Sequence, residues 1–276
     1  MPNRTKIRRA KTGNVAEILT VGNEILIGHT LDTNSNWIAK RLTRHGWKTT
    51  RITTIQDDLL EIAMTLRAVL QRRPTLVFTL GGLGPTPDDM TLKGIARGLG
   101  RPLRPNRESL EMIREFYTRM GRGSVKMTVA RRKMALLPPG AKPLKNTVGT
   151  APGVITPKGP TTIISLPGVP AELKAIFNGS VTPILKNYGG VAPTETTLRI
   201  DGIVESALAP AIVKVRRAFP DLYFKSHPRR SETLAKPLID LHIYSINEKG
   251  RQRLRAAVSM IVAELSRLSK QGKSSS

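Results

Sequence analysis

The stretch that decides the fold is TLVFTL (Thr75–Leu80), which is followed directly by GGLGPTPDDMT (Gly81–Thr91). The continuous apolar run is typical of a strand buried on both faces of a parallel sheet. Glycines after such a strand let backbone N–H groups approach a ligand closely, and the N-terminus of a following helix suits phosphate. The stretch therefore predicts the strand–loop–helix unit of an α/β protein, with a binding loop at the end of the strand.

Strand and helix patterns alternate on both sides of this stretch, which predicts a doubly wound α/β layer with a mostly parallel sheet. In that architecture, ligands bind at the carboxyl ends of the strands, near the switch in strand order. The predicted strands are Val15–Val21, Trp47–Ile55, Thr75–Leu80, Met134–Leu137, Gly153–Thr156 and Thr161–Leu166. The predicted helices are Asn34–Arg44, Leu59–Leu70, Pro87–Leu99, Arg107–Met120 and Pro170–Asn187.

The segment Tyr188–Pro193 (YGGVAP) has the composition of a linker. Beyond it the patterns predict a strand, a helix, two strands and a helix, which together form a smaller α+β module. We therefore predict four segments, namely a basic arm over residues 1–14, an α/β domain over 15–188, the α+β domain over 189–270 and a tail over 271–276.

The composition excludes several classes of protein. The 276 residues contain no cysteine, so disulfides, thiolate zinc sites and cysteine nucleophiles are excluded. The apolar runs are too short to span a bilayer, and the basic N-terminus is not followed by the apolar region of a secretory signal. We expect a soluble, cytoplasmic protein that does not associate with membranes.

The net charge of +25 is unevenly distributed along the chain. Between Phe116 and Ala171 there are nine Lys or Arg and no acidic residue, and such a surface attracts nucleic acid or other polyanions. A generally basic proteome or a high-temperature lifestyle would give the same bias, and an aromatic content of 4% weakens the interpretation as a single-strand binder. Residues 1–188 carry +18 and residues 189–276 carry +7, so the excess favours a basic surface around an anionic small-molecule site.

The loop from Gly81 to Asp89 permits two interpretations. Thr86 is a natural N-cap, Pro87 suits the first helical position, and Asp89 completes an arrangement like a capping box. Three glycines and two prolines before adjacent carboxylates exceed what a cap requires, so we interpret the loop as a ligand site. Asp88 and Asp89 could hold a divalent metal ion through oxygen ligands, with waters completing the shell.

Three further loops carry similar chemistry. They are Gly22–Asn34 after the first strand, Asn146–Gly153 and Leu166–Glu172. Glu24 and Asn34 could face the Gly81–Asp89 loop, because loops after neighbouring strands converge. Alternatively, Asp32 or Thr33 caps the following helix, Glu24 is solvated, and the later loops are ordinary turns. We favour a composite pocket of nucleotide size.

The usual nucleophiles are poorly represented. The four histidines form no pair with metal-binding spacing, and neither a G-x-S-x-G elbow nor a Walker loop is present. If the protein is an enzyme, the most economical mechanism is metal-assisted phosphoryl chemistry that uses carboxylates.

Five motifs carry a resemblance to a known family, in the right order over residues 15–188. GNEILIG (Gly22–Gly28), DTN (Asp32–Asn34), GGLGPTPDDMT (Gly81–Thr91), NTVGTAPG (Asn146–Gly153) and LPGVPAE (Leu166–Glu172) resemble the competence/damage-inducible protein A (CinA) family. The resemblance implies the three-layer molybdopterin-binding fold shared with molybdenum-cofactor biosynthesis proteins, and a homo-oligomer such as a dimer or trimer. The second module, with Gly202–Ser206 after its first strand, is similar to the KH-type module of CinA proteins.

The same resemblance implies a nucleotide-binding protein that acts as a divalent-metal-dependent (Mg, Mn or Co) ADP-ribose pyrophosphatase and produces AMP and ribose 5-phosphate. Asp89, Asp88 and Glu24 would be catalytic, and the two aspartates would hold the metal. The implied ligand-binding residues are Gly22, Asn34, Gly81, Gly82, Gly84, Pro85, Thr86, Thr91, Asn146, Thr150, Ala151, Pro152, Gly153, Pro167, Gly168 and Glu172.

Two alternatives to this activity stay open. One is molybdopterin binding, against which Leu83 argues, since relatives that bind the pterin usually have Thr in a Gly-Gly-Thr-Gly loop. The other is nucleic-acid binding through the basic surface, although residues 194–268 contain no G-x-x-G loop of the kind that RNA-binding KH modules use. Full-length CinA proteins continue into a nicotinamide mononucleotide deamidase domain that this chain lacks, so we expect no deamidase activity.

Overall fold

The computed structural model describes residues 14–121, 126–190, 193–229, 237–245 and 250–274. The chain divides into two compact units, Met1–Gly190 and Val191–Ser276, referred to below as unit 1 and unit 2. All but the last residue of the predicted basic arm lies outside the described residues, as do residues 275 and 276 of the predicted tail.

A six-stranded sheet forms the centre of unit 1, and its strand order is β2-β1-β3-β8-β7-β6. The first four strands in this order are parallel, whereas β7 and β6 are antiparallel to their neighbours. This sheet confirms the predicted α/β class with a mostly parallel sheet. The strands of unit 1 are β1 (Val15–Val21), β2 (Lys48–Ile55), β3 (Leu76–Leu80), β4 (Arg104–Pro105), β5 (Leu136–Leu137), β6 (Lys142–Leu144), β7 (Gly153–Lys158) and β8 (Thr161–Leu166).

Helices cover both faces of the sheet, which gives three layers. Phe78 of β3 packs in a cluster with α2 and α7, while its neighbour Val77 packs in another cluster with α3, α4 and α5. Because one cluster packs on each face of the sheet, the residues of β3 are buried on both sides, as the apolar run predicts. The helices are α1 (Asn23–Leu26), α2 (Thr33–Arg44), α3 (Leu59–Gln71), α4 (Thr91–Leu99), α5 (Arg107–Arg119), α6 (Val129–Lys133), α7 (Pro170–Ile176) and α8 (Thr182–Asn187).

Two predicted helices differ from the observed ones. The helix predicted from Pro87 begins instead at Thr91, so the prediction that Thr86 caps it is wrong. The helix predicted over residues 170–187 is interrupted by a π-helical turn, Phe177–Val181, between α7 and α8. A π-helical turn widens the backbone by one residue, which sequence periodicity does not reveal.

Unit 2 is an α+β fold with a three-stranded antiparallel sheet in the order β10-β11-β9. Helices α9 and α10 pack against one face of this sheet, where Ile239, Leu241 and Ile243 of β11 are buried. The elements are β9 (Thr194–Asp201), α9 (Glu205–Ala218), β10 (Tyr223–Pro228), β11 (Leu238–Ser245) and α10 (Gly250–Ser274).

The helices of the described part of the chain include none with the length and apolar character needed to cross a membrane.

Candidate functional site

A cavity of about 450 Å³ lies at the carboxyl ends of the parallel strands of unit 1. The chain passes from β1 to β2 on one side and then to β3 on the other side, so strand order switches between β1 and β3. In an open α/β sheet this switch leaves a crevice, because the loops after the two strands run in opposite directions. The cavity is therefore where the fold favours a ligand, and its volume suits a small molecule.

The lining of this cavity is acidic, although the chain as a whole is strongly basic. Among the described residues, no lysine, arginine or histidine lines it. Six carboxylates do, and they come from α1, from the residue that caps α2, from the loops after β2 and β3 and from α7. They are Glu24, Asp32, Asp57, Asp88, Asp89 and Glu172.

The loop after β1 places Glu24 over the end of that strand. Its carboxylate folds back onto Gly22, where a Cβ atom would lie 2.7 Å from Glu24 Oε1. A larger residue at position 22 would push the carboxylate away. Gly22 does not line the cavity, but its lack of a side chain allows Glu24 to lie there. Glu24 lines the cavity together with residues of the Gly81–Asp89 loop and is also exposed to solvent, so each of the two alternatives describes part of its position.

Asp32 is a structural residue as well as a lining residue. One of its carboxylate oxygens accepts a hydrogen bond from Ser35 N at 2.9 Å and caps α2, and the other accepts from Thr20 Oγ1 at 2.9 Å. Asn34, in the first turn of α2, donates from Nδ2 to Gly168 O at 2.7 Å. This bond joins α2 to the loop after β8, and both elements line the cavity.

The glycine loop after β3 closes into a tight turn before α4 begins. Thr86 donates to Asp89 Oδ2 from its backbone nitrogen at 2.9 Å and from Oγ1 at 2.6 Å. Asp89 N donates in return to Thr86 O at 3.1 Å. The carboxylate lies against Gly84, where a Cβ would come within 2.5 Å of Oδ2. Asp89 therefore organises the loop, and the sequence of polar residues that suggested a helix cap forms this turn instead.

Asp88 is the exposed member of the aspartate pair. Hydrogen bonding from Thr86 lowers the pKa of Asp88, and Lys133 lowers it further. Lys133 Nζ donates to Thr86 O, and burial lowers the pKa of this lysine. Lys133 and Lys93 line a second cavity of about 330 Å³ on the other side of the glycine loop. The carboxylate-rich cavity thus has two lysines immediately behind one of its walls.

Asp57 is a site residue that the sequence analysis missed. It follows β2, and its Oδ2 accepts from Asn23 N at 2.8 Å, which ties the loop after β2 to α1. Burial raises the pKa of Asp57, and the charges of Glu24, Asp88 and Asp89 raise it further. These four carboxylates therefore share one end of the cavity. The signal that could have identified Asp57 is an aspartate pair after a strand, as at Asp88 and Asp89; its neighbour Asp58 caps α3.

Glu172 lies at the other end of the cavity and is held by Asn146. Asn146 Nδ2 donates to Glu172 Oε2 at 2.6 Å and to Ala151 O at 2.9 Å, and its Oδ1 accepts from the backbone nitrogens of Val148 and Gly149. Burial raises the pKa of Glu172, whereas the Asn146 bond lowers it. Asn146 therefore positions a loop and a carboxylate.

Most of the residues predicted for the site meet at the cavity. Those that line it are Glu24, Asn34, Gly81, Gly82, Gly84, Pro85, Asp88, Asp89, Thr150, Ala151, Pro167, Gly168 and Glu172. Six predicted residues do not line it, namely Gly22, Thr86, Thr91, Asn146, Pro152 and Gly153. Of these, Thr91 Oγ1 donates to Gly81 O at 2.8 Å and so supports the glycine loop from behind.

The described residues contain no group of three or more His, Cys, Asp or Glu side chains arranged to hold a metal ion. Asp32 and Asp89 already accept hydrogen bonds from the protein, whereas Glu24 and Asp88 lie exposed at the cavity. Glu24 and Asp88 are therefore the carboxylates that could hold a magnesium-like ion, which keeps several waters and binds one or two carboxylates together with phosphate oxygens.

Residues 17–187 match the family described as "Probable molybdopterin binding domain", and the chain belongs to this family. A protein of Pyrobaculum arsenaticum is 42% identical over 253 residues, which cover 91% of this chain and 94% of that protein. A protein of Aeropyrum pernix is 43% identical over 229 residues, which cover 83% of this chain and 84% of that protein.

Among solved structures, that of "the protein CinA with unknown function from Thermoplasma acidophilum" is 42% identical and superposes with a TM-score of 0.58. The match covers 62% of this chain and 98% of the Thermoplasma chain. Unit 1 is therefore a CinA-like domain with the molybdopterin-binding fold, as the five motifs predict.

Proposed function

We propose that unit 1 binds a pterin that carries a phosphate, of the molybdopterin type, or the adenylylated form of that pterin. The observation that carries this proposal is an acidic cavity at the strand-order switch of a domain that belongs to the molybdopterin-binding family. The family supports this ligand better than the pyrophosphatase activity implied by the CinA resemblance. Leu83, which argues against a pterin, is buried and packs in the core but also lines the cavity, so the family match is the ground for preferring this ligand.

Carboxylates suit the ring of such a ligand. The pyrimidine edge of a pterin presents an amino group and an adjacent N–H, and one carboxylate can accept hydrogen bonds from both. Glu172 is half-buried, and Asn146 fixes one of its oxygens. A half-buried acceptor of fixed orientation selects for ligands with matching donors, because an unpaired buried group costs free energy. We therefore place the ring near Glu172.

The phosphate would then lie toward the glycine loop and the end that holds Glu24, Asp57, Asp88 and Asp89. Backbone N–H groups of a glycine loop bind phosphate, but these four carboxylates would repel it. A divalent cation (Mg, Mn or Co) removes this conflict. Glu24 and Asp88 would hold it, and it would neutralise the phosphate charge. Asp89 would keep the loop closed through its bonds to Thr86.

The test is a fluorescence titration of the full chain with a stable pterin phosphate, with and without Mg²⁺. Glu172→Gln loses one charged acceptor, and we expect an affinity about 10- to 150-fold lower. Asp88→Asn should weaken binding only when Mg²⁺ is present. Glu108→Gln, an exposed change on α5, is the matched control. Equal affinities of wild type, Glu172→Gln and Glu108→Gln would contradict the proposal.

We propose ADP-ribose pyrophosphatase activity as the second candidate function, and the cluster that Asp57 forms with three other carboxylates, Glu24, Asp88 and Asp89, supports it. In this reaction water adds to one phosphorus atom of ADP-ribose and the bridging P–O bond breaks, which yields AMP and ribose 5-phosphate. Incubation with ADP-ribose and Mg²⁺, Mn²⁺ or Co²⁺ should release AMP. Asp88→Asn is the informative comparison, because a change at Asp89 would also open the turn to Thr86. If wild type releases no AMP above a protein-free blank with any of the three metals, the activity is excluded, and equal release by wild type and Asp88→Asn would remove Asp88 from the reaction.

Two further proposals concern the assembly and unit 2. We propose a homo-oligomer, a dimer or a trimer, and the support is that Ile27 and Leu31 are 78% and 83% exposed, with Leu31 at the cavity. Light scattering of the purified chain measures the mass, and a monomer would refute this. We also propose that unit 2 is a KH-type module, which its mixture of two helices and three strands supports.

A further inference from the structure

The sheet of unit 2 presents one polar face, on the side opposite to its helices. Side chains alternate between the faces of a strand, so the burial of Ile239, Leu241 and Ile243 against α9 and α10 places Asp240 and His242 on the other side. Residues paired across the sheet share a face, so the partners of Asp240, His242 and Tyr244 on β9 and β10 lie on this side as well. We call this surface the open sheet face, and it consists of Glu195, Thr197, Arg199, Tyr223, Lys225, His227, Arg229, Asp240, His242 and Tyr244.

The strand register arranges these side chains in three rows. The first row is Tyr223, Tyr244 and Glu195, the second is Lys225, His242 and Thr197, and the third is His227, Asp240 and Arg199. Neighbouring rows are two residues apart along each strand, and four residues span about 14 Å from the first row to the third. The face therefore carries aromatic rings at one end and guanidinium groups at the other.

An aromatic platform forms the first row. The rings of Tyr223 and Tyr244 lie 4.9 Å apart with an interplanar angle of 40°, and the His242 ring meets Tyr244 edge-on at 5.8 Å. Tyr223 is 49% exposed and is among the large hydrophobic side chains that the fold leaves at the surface. Exposed rings on neighbouring strands of an open sheet offer flat surfaces on which bases stack.

A pair of arginines forms the other end. The buried carboxylate of Asp240 accepts from Arg199 Nε at 3.3 Å and from Arg229 Nε at 2.7 Å. Both guanidinium groups remain largely exposed, with 72% and 63% of their side-chain surfaces accessible. Asp240 accepts from Nε of each arginine, so the shared carboxylate anchors each guanidinium group on one side. A guanidinium group with a fixed orientation can donate two parallel hydrogen bonds to the oxygens of a phosphate.

We propose that the open sheet face binds single-stranded nucleic acid, with bases stacked on Tyr223 and Tyr244 and backbone phosphates bound by Arg199 and Arg229. The net charge of +7 over residues 189–276 complements a polyanion. A cleft of about 400 Å³, lined by Thr197, His227, Pro228, Arg229, Asp240 and His242, lies beside the arginines and can hold one phosphate with its sugar. The site is distinct from the basic stretch of unit 1 and needs no G-x-x-G loop.

The experiment measures the anisotropy of labelled oligonucleotides of about 12 nucleotides with the full chain, a length within the site sizes of known single-strand binders. Single-stranded RNA, single-stranded DNA and the duplex are compared. Tyr223→Ala should weaken single-strand binding about 5- to 150-fold, the range for one stacked base, while Tyr223→Phe keeps the ring and the affinity.

The salt dependence separates stacking from charge. Arg229→Ala should lower the slope of log affinity against log salt by about 0.7, the value for one phosphate contact on a single strand. Tyr223→Ala should leave that slope unchanged. Arg217→Ala removes the same charge from the exposed surface of α9. It should change the affinity and the slope of log affinity against log salt by only a small fraction. Calorimetric unfolding of each variant verifies that unit 2 is folded.

Three results would overturn the proposal. The first is tighter binding of the duplex than of either single strand. The second is a Tyr223→Ala variant that is folded and binds as tightly as wild type. The third is an Arg217→Ala variant that loses as much affinity as Arg229→Ala, since binding would then follow the net charge of +25 and not the open sheet face.

Discussion

Replacing Asn146 with alanine should destabilise unit 1 more than a typical polar substitution does. The side chain of Asn146 is buried and makes four hydrogen bonds, to the backbone of Val148, Gly149 and Ala151 and to Glu172. Alanine leaves all four partners unsatisfied. Because Val148 is exposed, water can replace the bond to its nitrogen, whereas Gly149 and Ala151 are buried and Glu172 is half-buried.

The magnitude follows from these four bonds. A neutral hydrogen bond contributes about 0.5–1.5 kcal/mol, and one to a charged group contributes about 1.5–3 kcal/mol. With the Val148 bond discounted, two neutral bonds and one charged bond remain, and we expect a loss of about 2.5–6 kcal/mol in the free energy of unfolding, in the upper range for single substitutions. Asn178→Ala is the control, since Asn178 is exposed and accepts one bond, from Arg41 Nη2 at 2.8 Å. We expect it to cost less than about 1 kcal/mol.

Tryptophan fluorescence during guanidinium unfolding is a suitable assay. The chain contains two tryptophans, Trp37 and Trp47, and both lie in unit 1, so their signal reports the unfolding of that unit alone.

A second measurement follows the free energy of unfolding as a function of pH. Since burial raises the folded pKa of Glu172, its contribution to stability is fully present below the ordinary glutamate value and is lost as pH rises through the folded pKa.

The Asn146 bond lowers that pKa, so Asn146→Ala should raise it and make the loss of stability with rising pH larger. The destabilisation by Asn146→Ala should therefore grow from acid to neutral pH, and this growth should disappear in a Glu172→Gln background. A loss no larger than that of Asn178→Ala, or a loss independent of pH, would refute the assigned role of Asn146.

Three further predictions concern unit 1. Asp57→Asn should stabilise the protein at neutral pH and not near pH 3, because burial raises the pKa of Asp57 and the charged form is disfavoured; thermal unfolding at the two pH values tests this. Arg72→Ala should cost about 3–5 kcal/mol in guanidinium unfolding, since it removes both bonds to the buried carboxylate of Glu17, at 2.8 and 2.6 Å, and a Glu17→Gln background should recover part of the loss. Asp58→Ala should cost about 1 kcal/mol by removing the cap of α3, and an equal loss for Asp58→Asn would contradict a capping role, since asparagine also caps.

The parallel sheet could be predicted because its strands have simple signatures. The apolar run of β3 and its glycine loop identified both a strand buried on two faces and the position of the cavity. Strand β6 (Lys142–Leu144) was missed because three residues give no period, and its identity as a strand depends on pairing with β7. The sequence also could not show that the chain from Phe177 to Val181 would form a π-helical turn.

The site was predicted in outline, and the errors concern which residues touch the cavity. Asp88 and Asp89 look alike in sequence, but two hydrogen bonds from Thr86 hold Asp89 in the turn of the loop, and Asp88 is the more exposed of the pair. Asp57 was missed because its importance arises from the neighbourhood of other carboxylates, which are distant in the chain. Lys133 belongs to the basic stretch between Phe116 and Ala171, which was interpreted as a surface that attracts polyanions, and its approach to the glycine loop is a tertiary effect.

The contrast between the basic chain and the acidic lining of its cavity has a consequence for rates. A distant anion experiences the field of the whole molecule and is drawn toward it, so added salt should slow its arrival. Once inside, the same anion meets carboxylates at short range, where screening by salt is weaker and a bound cation decides whether it stays. Capture would therefore respond to ionic strength, while retention would respond to divalent cations, and the two could be adjusted independently.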